Sequence, residues 1–228
     1  MKADIDTLKR IGQNKKDALF GYLFYRRVSI HITRLLLATG ITPNQVTVFA
    51  FLLAVVSAVL FYLGGYWSVI AGAILLNIRV VFDCVDGELA RIKGLQSARG
   101  ALLDSTLGLL AVILVFIALA LGMYRVAGIP WVWPVALLCV SGKLMSSFVA
   151  LQANSVSMPP AGSIRFDRVT SNLPFNIGWG GGANELVILL GAILNQMFPA
   201  LIAIAVLSNA QWIAQLLLNL KRAGGTAR

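Results

Sequence analysis

The chain has 228 residues, 58% of them hydrophobic and only 12% charged, with a mean hydropathy of +0.82. A single soluble core has no use for that much apolar surface, whereas several membrane-spanning helices of ~20 residues each do. A transmembrane barrel is excluded too, because its strands alternate apolar and polar residues and stretches such as Ser105 to Gly122 are almost continuously apolar. The net charge of +10 fits loops that meet anionic membrane lipids, and no basic, aromatic-interleaved domain remains to bind nucleic acid.

Residues 1–16 carry mixed charges and lack the apolar run of a cleavable signal peptide. Over 18–40, apolar residues mix with Arg26, Arg27, His31 and Arg34, the pattern of an amphipathic helix lying on the membrane. Pro43 then breaks the chain, and 45–63 reads as a first span closed by Gly64 and Gly65. Further spans follow at 67–91, 100–124 and 130–151, the last with Trp131 and Trp133 as interface anchors. The Gly, Pro, Ser and Asn content of 152–185, with Arg165, Asp167 and Arg168, begins a loop. The apolar stretch after it is too long for one helix and is broken at Pro199, which predicts a fifth span at 173–195 and a sixth at 199–220. The expectation is an all-α integral membrane protein: an N-terminal segment 1–43 with its interfacial helix, a six-helix domain over 44–222 and a tail from 223 to 228. With the N-terminus inside, sixteen of the 19 Lys and Arg fall on one side and only Arg125 on the other. Both termini and the 91–99 loop are therefore expected in the cytoplasm, with the spans in the plasma membrane. Cys84 and Cys139 sit in apolar surroundings and suggest neither a disulfide framework nor a thiolate metal site.

Four of the nine acids, Asp83, Asp86, Glu88 and Asp104, fall close together at the inner ends of the second and third spans. Acids at membrane depth are a functional-site hypothesis by default. At 100° per residue, Asp83, Asp86, Gly87 and Ala90 share a face about 100° wide, while Glu88 points roughly 140° from Asp83 and is solvated or paired. Carboxylates from two helices, with Gly87, Ala90 and Gly100 allowing close approach, suit a hard cation such as Mg²⁺ or Mn²⁺ and a phosphate-bearing substrate. The alternative is that these acids form helix-end salt bridges with Arg79, Arg91 and Arg99.

The run Asp83-Cys84-Val85-Asp86-Gly87-Glu88-Leu89-Ala90-Arg91, then eight residues, Gly100, three residues and Asp104, resembles the signature of the CDP-alcohol phosphotransferases. Thr42-Pro43-Asn44-Gln45-Val46-Thr47 is similar to the Pro-Asn-x-x-Thr element preceding it in many members. The resemblance implies six transmembrane helices, usually a homodimer, and transfer of a substituted phosphate from a CDP-linked donor to a hydroxyl acceptor, with release of CMP. It implies Asp83, Asp86 and Asp104 as metal ligands, and Gly87, Ala90, Arg91, Ser97 and Gly100 lining the CDP site together with Asn44 and Thr47. It also implies a fourth aspartate, a metal ligand and general base, four residues after Asp104, where this chain has Gly108. A glycine can do neither, so the chain is either an impaired transferase or a CDP- and metal-binding protein on the same scaffold. A transporter or channel would place its acids nearer the midplane. Of the remaining residues, Arg79 is expected to pair with a carboxylate and Cys84 to lie in the core. His31 suits a headgroup contact or packing, and Lys143 either snorkels or faces the cavity.

Overall fold

Two helix starts are written plainly in the local sequence. Thr42 and Gln45 form a reciprocal cap, with Thr42 Oγ1 accepting from the Gln45 amide at 3.4 Å and Gln45 Oε1 from the Thr42 amide at 2.9 Å, and Pro43 occupies the first turn, where its missing N–H costs nothing. Ser97 caps the other, accepting from the Gly100 amide at 3.1 Å. Glycines in the left-handed region, Gly64, Gly94 and Gly128, end three successive helices. The structure is a computed structural model and describes residues 5–13, 24–155 and 182–225.

Among the described residues every regular element is a helix: α1 (Ile5–Gly12), α2 (Arg26–Leu37), α3 (Pro43–Leu63), α4 (Tyr66–Lys93), α5 (Ala98–Ala127), α6 (Val132–Ser155), α7 (Ala183–Ile193) and α8 (Met197–Gly225). Five of them, α3, α4, α5, α6 and α8, are long and apolar enough to cross a membrane. They coincide with the first four predicted spans and the sixth. The predicted fifth span appears as α7, whose 11 residues rise only ~16 Å, about half a hydrocarbon core; its expected beginning, 173–181, lies outside the described residues. Likewise 18–23 of the expected amphipathic helix lie outside, and α1 was not foreseen.

The fold is organised around α4, which packs against α1, α2, α3 and α7, while α3 also meets α5, α5 meets α6, and α8 lies on α6 and α7. At Gly122 on α5 a Cβ would run into the Phe61 carbonyl oxygen, so the glycine sets how closely α3 and α5 approach. The main core joins Phe61, Leu76, Phe116, Leu119, Val132, Ile188, Leu201 and Ile204. Only between 22% and 39% of the most apolar stretch of each candidate span is buried inside the protein, and large apolar side chains are exposed along several of them. Leu52 and Val56 of α3, Ile117 and Leu121 of α5, and Leu137 and Phe148 of α6 are examples. That is the distribution a lipid surround requires and water forbids. α2 turns Ser29, Ile30 and Thr33 inward against α4 and leaves Arg27, Val28, His31 and Leu35 outward.

Candidate active site

The polar end of the bundle holds two adjoining cavities that share Asp104. The first, of about 680 Å³, is enclosed by the start of α3, the end of α4, the 94–97 turn and the start of α5. Asn44, Thr47, Gly87, Ala90, Arg91, Ser97 and Gly100 all line it, with Asp86 and Asp104. Thus the structure brings together all seven residues expected to line one site. Glycine matters here for space: at Gly87 a Cβ would lie 3.2 Å from the Arg91 guanidinium, and at Gly100 3.1 Å from Asn44 Oδ1. Arg91 is also tethered to the N-terminal segment, donating from Nε to the Gly12 carbonyl at 2.6 Å.

The second cavity, of about 530 Å³, is lined by Asp83, Asp104, Ser105, Gly108 and Glu185 with the cations Arg26, Arg79 and Lys143. Arg79 reaches Asp83 Oδ1 from Nη2 at 3.0 Å, one helical turn on, and its Nη1 lies 4.0 Å from Glu185. The expected pairing of Arg79 is therefore present, and Lys143 faces the cavity. Asp86 is 5% exposed and accepts from Thr47 Oγ1 at 2.7 Å, which explains the hydroxyl at position 47: it holds a buried carboxylate in place.

The three candidate metal ligands come from α4 and α5 and offer only hard oxygen, the donor chemistry of Mg²⁺ or Mn²⁺. Asp86 and Asp104 line the first cavity, and Asp83 and Asp104 the second. They are not gathered into a cage, for Asp83 is drawn to Arg79 and Asp86 to Thr47. Among the described residues no three His, Cys, Asp or Glu side chains stand together as a metal site.

Three features correct or extend the sequence reading. Of the two alternatives expected for Glu88, solvated or paired, the structure has the paired one: it is 0% exposed and accepts from Ser29 and Thr33 hydroxyls at 2.7 Å each and from Gln13 and Arg26 at 3.1 Å each. Cys84, expected in the core, is half-buried and lines the second cavity. Glu185, which falls where the expected late loop and fifth span overlap and was given no role in the site, sits in the first turn of α7 on the same cavity. Its backbone is fixed by Asn77, which donates to the Glu185 carbonyl at 3.0 Å and accepts from the Tyr25 hydroxyl. Burial, with nearby Glu185 and Cys84 adding to it, pushes the Tyr25 phenol well above its ordinary value, so it stays a donor. Arg165, Asp167 and Arg168 lie outside the described residues.

Fold and site together define a class: an all-helical membrane protein with acids from two neighbouring helices facing paired cavities at one end of the bundle. A family model described as CDP-alcohol phosphatidyltransferase matches residues 40–207, and the chain belongs to that family. It is 35% identical over 123 residues to the archaetidylinositol phosphate synthase of Pyrococcus horikoshii, covering 54% of this chain and 60% of the relative. To the phosphatidylinositol phosphate synthase of Streptomyces avermitilis it is 29% identical over 140 residues, covering 60% and 56%. The chain thus spans somewhat over half the length of these curated relatives. The crystal structure of the Mycobacterium tuberculosis phosphatidylinositol phosphate synthase with CDP-DAG bound superposes with a TM-score of 0.68 at 23% identity, covering 85% of this chain and 94% of that one. The same enzyme in complex with manganese and citrate gives 0.62 at 24%. These two likenesses establish the fold.

Proposed function

We propose that the chain is a transferase of phospholipid synthesis. It moves a substituted phosphate from a CDP-linked lipid, CDP-diacylglycerol or a similar CDP-alcohol, to a hydroxyl acceptor and releases CMP. The observation that carries this reading is the first cavity, where Asn44, Thr47, Asp86, Gly87, Ala90, Arg91, Ser97 and Gly100 surround one space that adjoins a second through Asp104. The CDP moiety occupies the first and the acceptor the second, so that they meet at Asp104. Family membership supports the reading, as does the relative solved with CDP-DAG. Relatives named as inositol phosphate-type synthases favour a phosphorylated polyol as acceptor, and Arg26, Arg79 and Lys143 give the second cavity the cations to receive its phosphate.

Asp83, Asp86 and Asp104 are the residues that would hold Mg²⁺ or Mn²⁺; when bound, the ion supplies neutralisation of charge on the pyrophosphate and on the departing CMP. The protein's own side chains do the remainder. Arg91, anchored through Gly12, presents its guanidinium to phosphate. Thr47 keeps Asp86 oriented, and the bare Cα atoms of Gly87 and Gly100 let the nucleotide approach the backbone. At Gly108 no carboxylate is present to take the acceptor's proton, and turnover is slow for that reason.

The site and both termini lie on the cytoplasmic side of the plasma membrane, α2 rests on the membrane surface, a sixth crossing includes α7, and two chains form a homodimer. The second reading, a CDP- and metal-binding protein that does not turn over, rests on Gly108. Purified protein assayed for CMP release from CDP-diacylglycerol with inositol phosphate, glycerol phosphate, serine and inositol decides between them. Release with one acceptor supports the transferase. Mn²⁺-dependent CDP binding without release selects the second reading, and neither result removes both. A cysteine at position 94 that labels only from the extracytoplasmic side would overturn the orientation.

A further inference from the structure

Gly108 faces the second cavity one turn along α5 from Asp104, and what surrounds its bare Cα is more informative than the missing side chain. Beyond its own helix, a Cβ built there has one neighbour within 4 Å among the described residues, Arg79 Nη2 at 3.7 Å. A carboxylate oxygen standing about 1 Å from that Cβ position, toward Arg79, is within hydrogen-bond distance of Nη2. Arg79 has donors to spare. Its guanidinium carries five N–H groups; among the described residues its contacts are Asp83 through Nη2 and Glu185 through Nη1, and its buried Nε has no hydrogen-bond partner. A buried, unmatched N–H is costly, and a planar guanidinium matches a planar carboxylate. Lys143 of α6, which lines the same cavity, has no hydrogen bond or ion pair among the described residues.

We propose that the space at Gly108 is a niche for one small carboxylate, held by Arg79, in a cavity that Lys143 also lines, and that a carboxylate seated there takes the role a side chain at position 108 would have. The size of the space selects the ligand, since what a glycine leaves out of an aspartate is a group of four heavy atoms, which acetate matches and formate, with three, fits within. Asp83, Asp104 and Glu185 share the cavity and repel an anion, so affinity is low. A ligand of three heavy atoms reaches about millimolar at its tightest, and tens of millimolar is expected here.

The catalytic part rests on the transferase reading. In that step the carboxylate accepts the proton of the acceptor hydroxyl, the oxygen forms its bond to the lipid-bearing phosphorus, and the phosphorus–oxygen bond to CMP breaks. CMP carries away the electron pair, and the protonated carboxylate returns its proton to solvent. The carboxylate can come from solution or be carried on the acceptor. Comparing acceptors with and without a carboxylate, in formate-free buffer, separates the two sources.

The test uses the full chain in detergent at about 300 mM sodium formate against sodium chloride of equal concentration. Formate should raise the thermal midpoint of the unaltered chain by about 2–4 °C over chloride. Gly108→Ala, whose methyl fits at ordinary contact distance yet fills the niche, should lose the shift, as should Gly108→Asp. Arg79→Lys, which keeps the charge but loses Nε, should lose most of it. Formate should also speed CMP release by the unaltered chain at least about tenfold and leave Gly108→Ala unmoved. No formate-specific shift, or an equal shift in Gly108→Ala, overturns the niche. If Gly108→Asp releases CMP while formate neither stabilises nor accelerates the unaltered chain, the niche fails and the transferase stands. If formate stabilises through Gly108 but no variant releases CMP, the niche stands and the transferase fails.

Discussion

Within six residues of α4 lie three carboxylates with opposite fates. Glu88, on the face turned toward α2, has both oxygens filled by the protein: two hydroxyls, an amide and a guanidinium converge on it. Asp83 and Asp86, on the other face, each have one side-chain partner and open onto a cavity. Asp104 of α5 makes no hydrogen bond or ion pair with the described residues. A buried carboxylate whose lone pairs are all used holds the structure together, and carboxylates left with open lone pairs around a shared space are available to a ligand. Charge and residue type do not separate these cases; the count of partners does.

The largest expected effect comes from breaking the saturated side. Glu88→Ala strands Arg26, Ser29 and Thr33 around a hole and should lower stability by about 3–5 kcal/mol, read as the unfolding midpoint in detergent. Glu88→Gln keeps one acceptor oxygen and should cost less. A loss below about 1 kcal/mol for the alanine variant would place Glu88 with the open carboxylates. Gly108→Asp comes next: it adds a carboxylate beside Arg79 and should raise CMP release from a CDP-linked donor at least ~10²-fold with the right acceptor. An unchanged rate means another group takes the proton. Asp86→Asn ranks third. It should fold, because it removes a buried charge while keeping an oxygen for Thr47. It should also lose the Mn²⁺-dependent stabilisation by CDP, which amounts to about 2.7 kcal/mol at a hundred times the dissociation constant. Retained stabilisation would count against Asp86 as part of the ion's site.

How far these distinctions could be read from the sequence depends on the range of the interactions. The five long helices were legible because their causes are local: the Thr42 and Gln45 cap, Pro43, and the glycines at 64, 94 and 128 act on their immediate neighbours. The first cavity was legible because its residues come from two short segments, at 43–47 and 86–104, with helical spacing between them. Glu88 was read as off the face and solvated or paired, with no partner named, since its partners Gln13, Ser29 and Thr33 are 55 to 75 residues away in sequence. Glu185 was missed for the same reason. What brings α7 to the cavity is the Tyr25, Asn77 and Gly182 junction, in which the Tyr25 hydroxyl lies 3.2 Å from the Gly182 carbonyl, 157 residues on. At Gly182, with φ +97°, a side chain would strike the Tyr25 ring. Periodicity reports which way a residue points from its own helix and is silent about which distant helix it meets.

The smallest expected effect tests the partner-count rule where it conflicts with position. Ser97 lines the first cavity, which argues for contact with the donor, yet its oxygen already accepts from the Gly100 amide and caps α5. One accepted bond leaves a lone pair and the O–H open, but that bond ties the oxygen to the start of α5, so its contribution should be mainly structural. Ser97→Ala should lower stability by about 0.5–1 kcal/mol, the ordinary cost of losing an N-cap. CDP affinity should fall no more than about threefold, because removing the cap loosens the start of α5 next to Gly100 without removing a ligand contact. Ser97→Asn supplies another capping oxygen and should recover most of the stability and the affinity together. If Ser97→Asn regains stability but binds CDP more than about tenfold more weakly, the hydroxyl contacts the nucleotide. A side chain can then serve a cap and a ligand at once, and partner count alone would not separate structural from functional residues in this site.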